Sequence, residues 1–198
     1  MRIDTEAGPA DAELDVPRRK PTFLLVLTHG AGGDPDTADL LAVRDLAREL
    51  GGAVARVRQP YRVAGRRAPG AAPKQDAAWL EVIAALRTRY PRLPLIQGGR
   101  SNGARVACRT AVAADAAGVI ALAFPLHPPG KPANTRVAEL RAAPDVVVVN
   151  GARDPFGIPD AADATAVHVI PNQAHAFRSG LDQIVAAVRP HLERWRTP

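Results

Sequence analysis

At 198 residues the chain suits one domain, residues 1–198, that buries roughly 70% of the surface its unfolded form exposes. Its formal net charge of +6 rests on arginine, with Lys20, Lys74 and Lys131 the only lysines; the arginines are dispersed, and no aromatic RNA-binding strand, recognition helix or zinc finger accompanies them, which argues against a nucleic-acid partner. A single cysteine, Cys108, excludes an intramolecular disulfide and any zinc-type Cys spacing, and no apolar run approaches the ~20 residues that span a bilayer.

The first twenty residues read as a hairpin at the edge of a sheet: Arg2 to Thr5, a Gly8-Pro9 turn, then Ala12 to Val16 with alternating polarity. Asp4, Glu6, Asp11, Glu13 and Asp15 in this stretch are foreign to a secretory signal. With one cysteine, a reducing cytoplasm is the expected setting.

From residue 23 onward, apolar runs alternate with helical patterns, which predicts an α/β fold with a mostly parallel sheet and helices on both faces. Phe23 to Leu27 is a buried strand that ends in the loop Thr28-His29-Gly30-Ala31-Gly32-Gly33. Ala38 to Leu50 has Leu40, Leu41, Val43, Leu46 and Ala47 at helical spacing, and Gly51-Gly52 stops it. Ala53 to Val57 is the next strand. Arg56, Arg58, Arg62, Arg66, Arg67 and Lys74 form the only local concentration of positive charge, read as a solvated face, and Val63 to Lys74 reads as a loop. Asp76 to Tyr90 is a helix with Trp79, Val82, Ile83 and Leu86 on one side. Leu95 to Gly98 is a strand, Ala104 to Ala114 a helix, and Val119 to Phe124, Val146 to Val149 and Ala166 to Ile170 three more strands. Pro125 to Pro132 is a second loop over the sheet, and Leu181 to Trp195 is the closing helix. Neither loop is long enough for a cap domain.

The chemistry gathers on one of only two serines, Ser101, set in Gly99-Arg100-Ser101-Asn102-Gly103 directly after an apolar run. A strand, a sharp turn holding Ser and a helix put a hydroxyl at the carboxyl edge of a sheet, with Gly99 and Gly103 letting the two elements pass closely. A serine hydroxyl is a poor nucleophile until a base removes its proton, so a histidine oriented by a carboxylate is required. In chain order the acid comes next, after a late strand. Asp154 fits, with four residues between it and the strand Val146-Val149, against the competing reading of an ordinary turn aspartate; Asp145 is at the wrong end of that strand, and Asp160 and Asp163 look like helix N-terminal or surface acids. His175, between the last strand and the last helix, is the candidate base. His127 is its main competitor and could line the site, His168 sits within a strand, and His191 reads as solvated in the last helix. The backbone N–H groups of Ala31 and Asn102 are the candidate oxyanion hole. The His29 to Gly33 loop lacks the Lys-Ser/Thr ending of a P-loop and the G-x-G-x-x-G spacing of a dinucleotide site, and no metal or organic cofactor is implied.

These motifs resemble the α/β-hydrolase superfamily over residues 23 to 195. His29-Gly30-Ala31-Gly32, Pro60-Tyr61-Arg62, Gly98-Gly99-Arg100-Ser101, Pro125 to Gly130 and Gly151 to Phe156 look most like the compact hydrolase-like family that includes testis-expressed protein thirty and a subunit of the nonspecific-lethal chromatin complex, related to dienelactone-hydrolase-type proteins. Similar proteins tend to carry methionine and two glycines after the serine, and an aspartate before the histidine; here Asn102-Gly103-Ala104 and Ala174 stand there, which leaves substrate preference open. The resemblance and the motifs together imply a serine hydrolase acting on a small ester or thioester, carboxylesterase-like, with an open site walled by the Arg62 to Arg67 and Pro125 to Pro132 loops. A peptidase or amidase, and a non-catalytic interaction protein that keeps the fold, are the alternatives. The expected partner is a small acyl substrate, with no membrane and no nucleic acid.

Overall fold

The structure, a computed structural model, describes residues 1–197. Its strands are β1 (Arg2–Ile3), β2 (Ala10–Asp15), β3 (Phe23–Thr28), β4 (Gly52–Arg58), β5 (Leu95–Arg100), β6 (Gly118–Leu122), β7 (Val146–Gly151) and β8 (Ala166–Ile170). They form one 8-stranded sheet in the order β1-β2-β4-β3-β5-β6-β7-β8. β3 to β8 run parallel, whereas β2 lies antiparallel on β4 and β1 antiparallel on β2, so the N-terminal hairpin closes one edge.

The helices are α1 (Ala38–Glu49), α2 (Pro60–Val63), α3 (Ala72–Arg89), α4 (Asn102–Thr110), α5 (Val137–Arg141) and α6 (Leu181–Trp195). Parallel strands covered on both faces read as unbroken apolar runs, and β3 shows why. Leu25 and Leu27 point to one face, into a cluster with Leu40 and Val43 of α1 and Ile184 and Val188 of α6. Leu24 and Val26 point to the other, against Trp79, Val82 and Leu86 of α3. A third cluster puts Ala104 and Cys108 of α4 and Leu140 of α5 against Val146 and Val148 of β7. Each fully buried Leu, Val or Ile contributes about 1.5–3 kcal/mol relative to exposure.

Several boundaries differ from the sequence expectation. α3 begins at Ala72, because Pro73 stands in its first turn, where a missing N–H is no loss and a fixed φ suits the helix. The loop expected over Val63 to Lys74 is therefore shorter at both ends. α4 starts at Asn102, directly after the serine. α5 has only five residues, too few to leave a periodic signature. Arg56 is not on a solvated face: it is 4% exposed and pairs with Asp15 at 2.8 Å, Glu13 at 2.7 Å and Asp36. His191 is likewise half-buried, packed between Trp195 and His168. Among the described residues no helix is long and apolar enough to cross a membrane.

The strand order reverses at β3, whose neighbours β4 and β5 lead away to opposite edges. In open α/β sheets such a switch point leaves a crevice at the carboxyl ends of the strands. The loop after β3 and the turn after β5 both open there.

Candidate active site

Ser101 stands between the last residue of β5 and the first of α4, with φ 53 and ψ −112. A non-glycine residue held there stores about 1–3 kcal/mol of strain. Two contacts maintain it: the Ser101 N–H donates to the Leu122 carbonyl on β6 at 2.9 Å, and α4 lies hard against the end of β3. A methyl on Gly103 would come within 2.7 Å of the Thr28 carbonyl oxygen, and one on Gly99 within 2.7 Å of the Gly103 carbonyl carbon. Only glycine at both positions lets strand and helix converge on the turn.

Asp154 lies in the turn after β7 and His175 in the loop after β8. Arg153 N–H donates to the Gln173 carbonyl at 2.8 Å, tying the two loops together. Gly151 permits that approach, since a Cβ there would meet the Gln173 carbonyl oxygen at 2.4 Å. The three predicted side chains are brought into one line. His175 Nδ1 lies 2.9 Å from Asp154 Oδ2, and His175 Nε2 lies 2.9 Å from Ser101 Oγ. With a neutral ring the order is Ser O–H to Nε2 and Nδ1–H to carboxylate. The Asp154 carboxylate is fully buried, and its second oxygen accepts the Phe156 N–H at 2.9 Å. The Phe156 ring packs on His175 with centroids 4.2 Å apart.

His29 organises the loop after β3. Its Nε2 accepts the Gln59 N–H at 3.0 Å, so its proton resides on Nδ1, which donates to the Gly30 carbonyl at 2.9 Å. Burial lowers the His29 pKa, a drop the Gly30 hydrogen bond opposes and nearby Arg62 and Arg58 reinforce. The Gly30 carbonyl also accepts the Gly33 N–H at 3.0 Å. In a planar trans peptide the carbonyl and the next N–H point opposite ways, so pinning the Gly30 oxygen inward turns the Ala31 N–H out toward the cleft. Neither the Ala31 nor the Asn102 N–H has a hydrogen-bond partner among the described residues. The Asn102 side chain is held elsewhere: it donates to Gln75 Oε1 at 2.8 Å, and Gln75 Nε2 donates to the Gly70 carbonyl at 2.8 Å.

Ala31, Ser101, Asn102 and His175 line one open cleft. Its walls are not those expected. Pro69 replaces the Arg62 to Arg67 stretch, because Arg62 turns away to the Gly33 and Arg66 carbonyls; only Pro125 represents the second loop. His127 does not line the cleft; its Nδ1 bonds the Pro128 carbonyl and its ring lies over Gly157. The cations that do line it are Arg100, Arg105 and Arg136, which the sequence did not single out as site residues. Arg100 and Arg105 carry a signal, as the residue before the serine and the residue one helical turn after it; Arg136 reaches the cleft only through tertiary folding. A separate, small cavity lies beyond Pro69, against Tyr61 and Trp79. Burial pushes the Tyr61 phenol up to about 12. Among the described residues, no group of three or more His, Cys, Asp or Glu is placed to hold a metal ion.

A family model described as alpha/beta hydrolase domain matches residues 21–181. No curated protein matches the chain. Among solved structures, XC6422 from Xanthomonas campestris, described as an a/b serine hydrolase without lid, is similar with a TM-score of 0.76 at 21% identity, over 100% of this chain and 94% of that one. Est1E from Butyrivibrio proteoclasticus with ferulic acid bound has a TM-score of 0.75 at 18% identity, covering 100% of both chains. Dienelactone hydrolase from Anabaena variabilis has a TM-score of 0.72 at 15% identity, over 98% of this chain and 94% of that one.

Proposed function

The chain belongs to the alpha/beta hydrolase family, and from that premise we propose that it is a serine hydrolase acting on a small ester or thioester, with Ser101, His175 and Asp154 as its catalytic triad. The observation that carries this reading is the continuous hydrogen-bonded line from Asp154 through His175 to Ser101 Oγ, at 2.9 Å for each step. Ser101 Oγ attacks the carbonyl carbon while His175 Nε2 takes its proton, and Asp154 holds the ring in the tautomer that presents a lone pair to the serine. The Ala31 and Asn102 N–H groups receive the oxyanion, at the N-terminus of α4, where the helix dipole favours negative charge. His175 then protonates the leaving alcohol or thiol, and water hydrolyses the acyl-enzyme by the reverse proton path.

Among the described residues no cap domain covers the cleft, which suits short acyl groups, and an esterase stands among the proteins of similar fold. The finer kinship with the testis-expressed and nonspecific-lethal group rests on the motifs alone, and a cytoplasmic setting on the single cysteine. The test is turnover of p-nitrophenyl acetate beside an acetyl thioester and an aminoacyl anilide. Burst release from the ester or thioester, absent in Ser101→Ala, supports the reading; cleavage of the anilide alone would make the protein an amidase, and no turnover of any would favour a non-catalytic role.

A further inference from the structure

The three guanidinium groups in the cleft are balanced unequally. Arg100 pairs with Asp39 at 3.1 Å. Arg105 holds Glu139 with two hydrogen bonds of 2.7 and 2.6 Å, and Glu139 is shared with Arg109, which also grips Asp76. Arg136 has no acidic partner among the described residues. Arg105, Arg109 and Arg136 thus face Glu139 and Asp76, and the surplus positive charge falls on Arg136.

Arg136 is nevertheless held in place. Its backbone N–H donates to the Leu126 carbonyl at 2.7 Å, and its Nη1 donates to the Pro125 carbonyl at 2.9 Å. Both contacts grip the loop that walls the cleft, and the remaining guanidinium N–H groups have no protein acceptor among the described residues. Burial and the like charge of Arg105 lower its pKa from the ordinary value, yet a guanidinium stays ionised in proteins. A half-buried, oriented and unpaired fork of this kind matches the two oxygens of a carboxylate or phosphate.

We propose that Arg136 is a specificity-determining residue that binds an anionic group, a carboxylate or a phosphate, on the substrate whose ester is cleaved at Ser101. The inference deepens the serine-hydrolase reading and rests on it. The anion takes no part in the bond changes: the Ser101 Oγ–carbonyl bond forms, the ester C–O bond breaks, the alcohol leaves with the proton from His175, and water releases the acid. Arg136 supplies only attraction and orientation, selecting esters that carry a negative charge near the scissile carbonyl.

The test measures binding rather than turnover, in the Ser101→Ala protein, with monomethyl glutarate, uncharged dimethyl glutarate and methyl 4-phosphonobutyrate titrated by calorimetry. At least one anion should bind roughly 10- to 100-fold tighter than the diester, the range that a charge-assisted hydrogen bond supports, and the tighter anion names the source. Adding Arg136→Gln should bring the ratio to about one, Arg136→Lys should restore part of it, and rising NaCl should shrink it. Should Arg136→Gln fail to fold, the lysine variant and the salt series still decide. Equal binding of all three compounds, no binding of either anion, or a preference that survives Arg136→Gln overturns the proposal. Failure of the serine-hydrolase reading shows separately, as an unreactive Ser101 in the unaltered protein.

Discussion

Arg100 Nη2 donates a 2.7 Å hydrogen bond to the backbone carbonyl of His175. The residue that precedes the proposed nucleophile in β5 thereby holds the loop of the proposed base. Arg100 is itself oriented by an ion pair with buried Asp39, in the first turn of α1, although this contact is not aligned as a hydrogen bond. Replacing Arg100 with Met frees the His175 loop without touching the side chains of Ser101, His175 and Asp154. Because misplacement by about 1 Å can lower a rate ~100-fold, kcat should fall about 10- to 100-fold. Steady-state kinetics on p-nitrophenyl acetate provide the check, and an unchanged kcat would show that the loop holds its place without this bond.

In the proposed triad Asp154 acts on His175 through the Nδ1–H bond, so Asp154→Asn should leave the fold intact while favouring the opposite tautomer. A loss of kcat on the order of 10⁴-fold is expected, as for other acid-to-amide changes in such triads. Single-turnover kinetics measure it, and a loss below tenfold would mean that the carboxylate has only a structural role.

Gly151 lets the Asp154 and His175 loops meet. In Gly151→Ala the new methyl would lie 2.4 Å from the Gln173 carbonyl oxygen and 2.5 Å from that of Ala174, so the loops must separate. Overpacking of this sort costs about 1–3 kcal/mol. A lower urea midpoint together with a lower kcat is the expected outcome, and wild-type values of both would contradict the close approach.

Two histidines give stability a defined dependence on pH. Burial lowers the pKa of His29 and of His191 from 6.5, and Arg194 and His168 lower that of His191 further. The folded protein therefore binds fewer protons than the unfolded chain as pH drops below about 6.5. Their contribution is fully present above that pH and is lost as pH falls through the depressed folded values. Urea midpoints measured from pH 8 to pH 5 should decline below about 6.5, with a shallower decline in His191→Gln; a flat or rising profile would contradict the sign.

The elbow and the candidate acid and base are legible in the sequence because each follows a short strand that carries an apolar run, whose end fixes where the turn begins. Arg56 was misread because its partners Glu13, Asp15 and Asp36 come from the N-terminal hairpin and the loop after β3, which no local pattern joins to it. Arg136 carries no signal for the same reason: it ends the loop that runs from β6 to α5, and only folding brings that loop beside Ser101. α3 extended past its expected start because Pro73, read as a loop signal, is equally at home in the first turn of a helix. Periodicity located what a single element carries, and missed what two or more elements create between them.

The most direct measurement is intact-mass spectrometry of the folded protein after treatment with a fluorophosphonate, followed by peptide mapping. One adduct on Ser101 is expected in the wild type, none in Ser101→Ala, and slow formation in His175→Ala. A wild-type protein that stays unlabelled while folded, or an adduct on Ser179 instead of Ser101, would contradict the assignment of Ser101 as an activated nucleophile.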